Sequence, residues 1–220
     1  MILKPTNRDE WLSMRKEQGI GGSEAGCVIG VNKYKSNVDL WEEKTGRVVP
    51  KDISGKPAVI FGKQAEAPIR ELFKQDYPEY KVDYHEFYMY CNDDYPFIFA
   101  TLDGELTDPG GSHGILEIKT TTIQNPNQWN EWETEEHEPK IPGSYYAQVL
   151  HQLAATGWEF AILKAYIRYY RNGSLRVAIR HYFIEREDVE EDIKYLIGKE
   201  KEFMEYVRQD KRPPLILPEI

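Results

Sequence analysis

The chain has 220 residues, 40% hydrophobic and 13% aromatic, with 28 Lys and Arg against 37 Asp and Glu for a net charge of −9. This composition belongs to a globular protein long enough to bury a sizeable core in one large domain, and it contains no apolar run that spans a bilayer. The acidic balance excludes a passive nucleic-acid coat but not a nuclease, whose metal site itself gathers carboxylates, and two cysteines, Cys27 and Cys91, are too few for an all-thiolate metal site.

Met1-Ile2-Leu3-Lys4-Pro5 lacks the apolar stretch of a signal peptide, so a reduced, cytoplasmic protein is expected. Thr6 or Asn7 caps a helix over 8–18, with Asp9 and Glu10 in its first turn. Gly19-Ile20-Gly21-Gly22-Ser23-Glu24-Ala25 then reads as a loop entering a helix with Ser23 at its N-cap and Gly30 at its end. The plainer reading of Ser23 is a cap and nothing more. The functional one is an anion site for a phosphate, with Arg15 nearby. Ser36 or Asn37 begins another helix, with Leu40 and Trp41 inward and a stop at Thr45-Gly46. Lys33, Lys35, Lys44, Arg47, Lys51 and Lys56 make this early region loosely basic, by default a solvated surface.

Ile60, Phe61, Ala65, Ile69, Leu72 and Phe73 recur at spacings of 3 and 4 and predict a helix over 58–75, although Gly62 and Pro68 argue against one unbroken rod. Glu66 lies four residues before Arg70, which makes a surface ion pair if the helix is continuous. Three strands follow, over 82–90, 97–107 and 114–121. Leu116 and Ile118 alternate with Glu117 and Lys119, the period of a half-buried strand, which puts Glu117 and Lys119 on one face. The turn-rich segment over 108–114 predicts a hairpin that brings Asp103 towards Glu117. Two carboxylates and an ammonium converging there suit a divalent-metal phosphodiesterase, with Glu66 a third carboxylate if its helix packs nearby. Taken alone, an E-x-K strand and a D-G turn are more often ordinary surface features.

A loop over 125–142 leads to a helix over 144–157, on which Gln148, His151 and Gln152 occupy related turns. Strands over 160–170 and 175–184 flank the turn Arg171-Asn172-Gly173, and an amphipathic helix covers 186–209. The tail over 212–218 is extended and apolar, and packs on the body or on a neighbouring subunit. The expected class is α/β, a mixed central sheet flanked by helices.

Five segments come in the order seen in one family: Gly19-Ile20-Gly21-Gly22-Ser23-Glu24, Phe61-Gly62-Lys63-Gln64-Ala65-Glu66, Thr101-Leu102-Asp103-Gly104, Leu116-Glu117-Ile118-Lys119-Thr120 and Tyr146-Ala147-Gln148-Val149. Over about 11–170 the chain resembles YqaJ-type viral recombinases, which are similar to the phage lambda exonuclease in the PD-(D/E)xK nuclease superfamily. Leu102 stands where the superfamily's nominal motif has Pro. The resemblance implies a single nuclease domain over 1–220. Its restriction-endonuclease-like core spans about 58–184, between an N-terminal helical part (1–57) and a C-terminal helix and tail (185–220). It implies a Mg2+-dependent 5′-to-3′ exonuclease acting on double-stranded DNA ends, with two ions for which Mn2+ substitutes. Asp103 would be the shared metal ligand; Glu117 and the Ile118 carbonyl would complete one site, and Glu66 would serve the second. Lys119 would orient or deprotonate the water, Gln148 would support the site, and Ser23 with Arg15 or Lys16 would hold the 5′-phosphate. A phage-encoded homotrimeric ring and a single-strand annealing recombinase as partner are implied as well. The alternatives are a structure-specific or restriction-like endonuclease and a non-catalytic DNA-end-binding recombination protein.

Overall fold

The computed structural model describes residues 1–134 and 136–217, the side chain of Gln18 apart. In chain order its elements are β1 (Ile2–Leu3), α1 (Arg8–Gln18), β2 (Ile20–Gly21), α2 (Gly22–Val28), α3 (Asn37–Lys44), α4 (Pro57–Asp76), β3 (Lys81–Asp83), β4 (Met89–Cys91), β5 (Ile98–Ala100), β6 (Gly104–Thr107), β7 (His113–Ile123), α5 (Gly143–Thr156), β8 (Phe160–Arg171), β9 (Ser174–Glu185) and α6 (Glu190–Arg208). Short 3-10 turns cover Pro126–Glu131 and Glu187–Val189. A mixed five-stranded sheet has the order β3-β6-β7-β8-β9, with β7 and β8 parallel. A smaller sheet has the order β1-β4-β5-β2, with β2 parallel to β5. The class is the expected one, mixed α/β with helices flanking, but the strands form two sheets where one was expected.

The strands expected over 82–90 and 97–107 each break in two for the same reason: their halves have different apolar partners. Met89, Cys91 and Phe99 pack with Trp11 and Met14 of α1. Val82 and Leu106 pack with Ile69 and Phe73 of α4. The chain therefore leaves the small sheet after Ala100, turns a corner through Thr101-Leu102-Asp103, and enters the large sheet at Gly104.

Strand β7 is covered on both faces, not half-buried. Leu116 and Ile118 face α4, while Ile115 joins Val149, Leu150 and Leu153 of α5. Helix α4 runs unbroken through Pro68, whose ring is on the exposed side, where water can satisfy the carbonyl left without a donor. Gly62 lets α4 approach the sheet, since a Cβ there would stand 3.3 Å from the Thr120 hydroxyl. At the far end of α4, the buried Lys164 of β8 donates to Asp76 at 2.5 Å and pins the helix to the sheet. The β8–β9 hairpin turns through Asn172 and Gly173, with φ of 51° and 73°, the left-handed pair that a two-residue hairpin demands.

Helix α6 packs Phe203, Met204 and Val207 against Ile20, Val28, Leu40 and Trp41. The tail lies on the body: the Asn37 amide donates to the Pro214 carbonyl at 2.7 Å, and its oxygen accepts from the Ile216 N–H at 3.0 Å. Pro218, the last residue of the expected tail, falls outside the described residues.

Behind the sheets, His151 of α5 and Glu200 of α6 are both 0% exposed and stand 2.6 Å apart. The other ring nitrogen of His151 is 2.9 Å from the Phe99 carbonyl of β5. A carboxylate and a carbonyl both accept, so the pair favours a ring that donates from both nitrogens, the imidazolium form. Burial works against that charge, but Glu200 outweighs it and holds the His151 pKa above the ordinary histidine value. Stability from a raised histidine pKa is fully present below the unfolded value, near 6.5, and fades as pH rises through the folded one. Glu200→Ala leaves a buried charge unpaired and is expected to lower stability by about 3–5 kcal/mol. Urea midpoints at pH 6 and pH 9 check this, with the larger loss expected at pH 6.

Candidate active site

One cleft of about 210 Å³ is lined by Arg15, Gly22, Ser23, Glu66, Phe99, Thr101, Asp103, Glu117, Ile118, Lys119 and Gln148. Every site residue predicted from sequence lines it, except Lys16, which lines a neighbouring hollow. They arrive from six separate places in the chain. Asp103 stands at the corner between the sheets, and Glu117, Ile118 and Lys119 on β7 opposite the start of β6. Glu66 comes from α4, Gln148 from α5, Arg15 from α1, and Ser23 from α2.

The hairpin register pairs Gly104 with Leu116, and the Ile118 N–H donates to Asp103 Oδ2 at 2.8 Å. Glu117 is only 2% exposed and is surrounded by donors. Lys119 Nζ is 2.6 Å and Gln148 Nε2 2.7 Å from its Oε1, and Gln152 Nε2 is 2.5 Å from Oε2. Lys119 also donates to Gln148 Oε1 at 2.9 Å and lies 5.1 Å from the Tyr145 ring centre. Gln152 sits one turn after Gln148 on the same face of α5. That spacing was visible in the sequence; its contact with Glu117 was not.

Arg70 departs from the surface ion pair expected of it. Its Nε donates to the Asp103 carbonyl at 2.6 Å and its guanidinium lies 3.6 Å from the Tyr84 ring centre, so it braces the corner from behind. Ser23 is not the N-cap of α2: Gly21 is, its N–H bonded at 2.9 Å to the Glu24 carboxylate, which also pairs with Lys44 at 2.8 Å. Pairing of β2 with β5 draws Gly21 into extended backbone and starts the helix two residues early, leaving Ser23 in the first turn, exposed beside the cleft. Arg15 stacks on Trp11, its Cζ 4.4 Å from the ring centre. Much of the early basic region is tied up within the chain, as Lys33–Glu131, Lys35–Glu43, Lys44–Glu24 and Arg47–Asp210 pairs.

The electrostatics are those of a site short of positive charge. Burial, then the Glu117 and Glu66 carboxylates, push the Asp103 pKa well above the usual range. Burial and Glu117 likewise raise Glu66. Burial works to lower Lys119, but Glu117 and Asp103 outweigh it and hold the ammonium charged. Three carboxyls and a strand carbonyl are hard oxygen donors of the kind Mg2+ takes. Among the described residues, no three acidic, His or Cys side chains lie close enough to share one ion as they stand. Asp103 and Glu117 are held by protein donors instead. By donor type and by charge, but not by their present spacing, these groups suit a divalent cation.

Residues 10–159 match the YqaJ-like viral recombinase domain. The chain belongs to that family. It is similar to the uncharacterized protein YqaJ of Bacillus subtilis (strain 168), 38% identical over 160 residues, which are 73% of this chain and 45% of that protein. The chain thus covers less than half of that relative. Among solved structures, this YqaJ-like chain shares its fold with an alkaline exonuclease, LHK-Exo, from Laribacter hongkongensis (TM-score 0.67, 20% identity, covering 92% of this chain and 94% of that one). The match to LHK-Exo in complex with dAMP is equivalent (TM-score 0.66, 21% identity, 92% and 94%). A phage-related exonuclease from Haemophilus somnus 129PT is similar at a TM-score of 0.57 and 13% identity, covering 87% of this chain and 96% of that one. No helix among the described residues is long and apolar enough to cross a membrane.

A raised carboxyl pKa means that ionising Asp103 at neutral pH works against folding. The penalty is absent below the unfolded value near 4 and grows as pH rises towards the folded value. Asp103→Asn is therefore expected to melt a few °C above the original chain at pH 8 without added metal, with the difference gone at pH 3.5. Paired thermal melts at the two pH values measure it.

Proposed function

We propose that the chain is a Mg2+-dependent exonuclease that degrades one strand of linear double-stranded DNA from the 5′ end, leaving a 3′ strand for annealing recombination. The observation that carries this reading is the meeting of Asp103, Glu117, Lys119 and Glu66 in one cleft with Arg15 and Ser23 at its rim. Asp103, Glu117 and the Ile118 carbonyl would hold one cation, and Asp103 with Glu66 a second. Mg2+, or Mn2+ in its place, supplies positive charge to the attacking water, the phosphoryl oxygens and the leaving oxygen.

The chain's own groups do the rest. Lys119 enters as an ammonium and orients the water or screens charge on the phosphoryl group; with its pKa raised, it is poorly suited to be the base that removes the proton. Gln148 and Gln152 hold Glu117 in place, so its carboxylate needs no reorganisation during the reaction. Arg15 and Ser23 would bind the terminal 5′-phosphate and set the distance from the DNA end to the bond that is cut. A homotrimeric ring around the duplex and a partner that anneals single strands belong to the same reading.

Incubation with a 5′-phosphorylated linear duplex and Mg2+ tests it on a gel. Loss of one strand from linear DNA, with closed circles intact, is the expected result; nicking of the circles would move the assignment to an endonuclease. Asp103→Ala and Lys119→Ala should each reduce the rate by at least about 10²-fold, the range for removing a principal electrostatic group. Arg15→Ala should cost more on phosphorylated than on hydroxyl 5′ ends, and equal losses on both would remove Arg15 from phosphate binding.

A further inference from the structure

Two further hollows continue the cleft. The first, about 590 Å³, shares Ser23, Lys119 and Gln148 with it. The second, about 490 Å³, shares Tyr34, Thr121, Gln128 and Tyr145 with the first and ends under Phe61 and Arg168. Together they follow the last part of β7, from Lys119 to beyond Ile123, a path of roughly 16 Å at the usual rise per strand residue.

The charge of this tract is opposite to that of the chain. In a protein of net charge −9, the second hollow is lined by no carboxylate, and the first by one, Glu131, which is paired with Lys33 at 2.8 Å. The rest of the polar lining is amides, hydroxyls, Lys33, Lys119, Lys140 and Arg168, beside aromatic rings and a few aliphatic side chains such as Val31 and Ile123. Arg168 stacks with its Cζ 4.0 Å from the Phe61 ring centre, and its Nε is buried with no hydrogen-bond partner. Among the described residues no carboxylate pairs with it. A guanidinium that lines an acid-free hollow with no carboxylate partner suits an anion.

The rim adds a second feature. Tyr34 is 97% exposed, the most exposed large side chain with apolar surface among the described residues. Its backbone is nonetheless fixed: the Asn32 side-chain oxygen accepts from the Tyr34 N–H at 2.8 Å and the Lys35 N–H at 3.1 Å. An aromatic ring held out from a pinned turn, beside a polar and cationic groove, is a stacking platform for a base.

We infer that this tract binds a single-stranded segment of DNA contiguous with the strand cut in the cleft, with Arg168 on a backbone phosphate and Tyr34 stacked on a base. The inference rests on the nuclease reading for its substrate, while its measurement does not need cleavage.

Anisotropy of a fluorescein-labelled oligothymidylate is followed in EDTA at several salt concentrations, beside the gel assay with Mg2+. The original chain is expected to bind it. Tyr34→Ala should weaken binding roughly 5- to 150-fold, the worth of one stacked base. Tyr34→Phe, which keeps the ring, should restore it. Arg168→Gln should weaken binding and lower the slope of log affinity against log salt by about 0.7, the value for one phosphate of a single strand. In the gel assay the same variants should raise KM and leave kcat in place. Binding and cleavage at original levels in Tyr34→Ala and Arg168→Gln, or no binding by the original chain, overturn the tract. Loss of binding in both variants of a chain that cleaves no DNA supports the tract and overturns the nuclease reading instead. Tyr34 is so exposed that its replacement does not threaten the fold.

Discussion

Glu117 is an ionisable side chain buried in the middle of a strand, and burying an ion there costs several kcal/mol unless donors surround it. The architecture around the cleft meets that constraint. Lys119 follows two residues later on the same face, and Gln148 and Gln152 come from one face of α5, each bonded to the carboxylate. Helix α5 must therefore lie close along β7, and the small apolar residues Ala147, Ala154 and Ala155, all buried, let it do so. The corner at Asp103 is set from the other side by Arg70 on its carbonyl and the Ile118 N–H on its carboxylate.

The result is a site that is rigid but poorly compensated. Donors fix Asp103 and Glu117 in direction, yet Asp103 and Glu66 remain with pKa values raised by burial and by the Glu117 carboxylate. A folded chain usually avoids such an arrangement, and where it persists it serves something the polypeptide does not itself contain. In the nuclease reading, that something is a pair of cations and the phosphodiester they straddle.

Much of this could be read along the chain. The alternation over 115–119 located β7, the turn residues over 108–114 located the hairpin, and helical spacing located Gln148, because all three are local patterns. What escaped was set by contacts between distant segments. Nothing within the stretch 82–107 says that its strands divide between α1 and α4, so the break at Thr101 became apparent only with both apolar partners in view. Helical spacing offers Arg70 the partner Glu66, whereas a backbone carbonyl 33 residues away takes it. Ser is a good cap, so the stretch alone points to Ser23, whereas the β2–β5 pairing puts the cap at Gly21, whose N–H meets a Glu24 held by Lys44. His151 and Glu200 are 49 residues apart and belong to separate helices.

That last pair reaches beyond the segment by which the family is known, which here ends at residue 159. His151 lies inside it and Glu200 outside, on α6, and each is untenable in the interior without the other. Loss of either therefore leaves the other an ion without a counter-charge in the interior. A lineage that exchanges α6 for another element, or lets Glu200 drift, must replace His151 with a neutral residue or find it a new counter-ion. Covariation between these columns in an alignment of relatives would then trace how long α6 has been part of the nuclease fold and not an appendage to it.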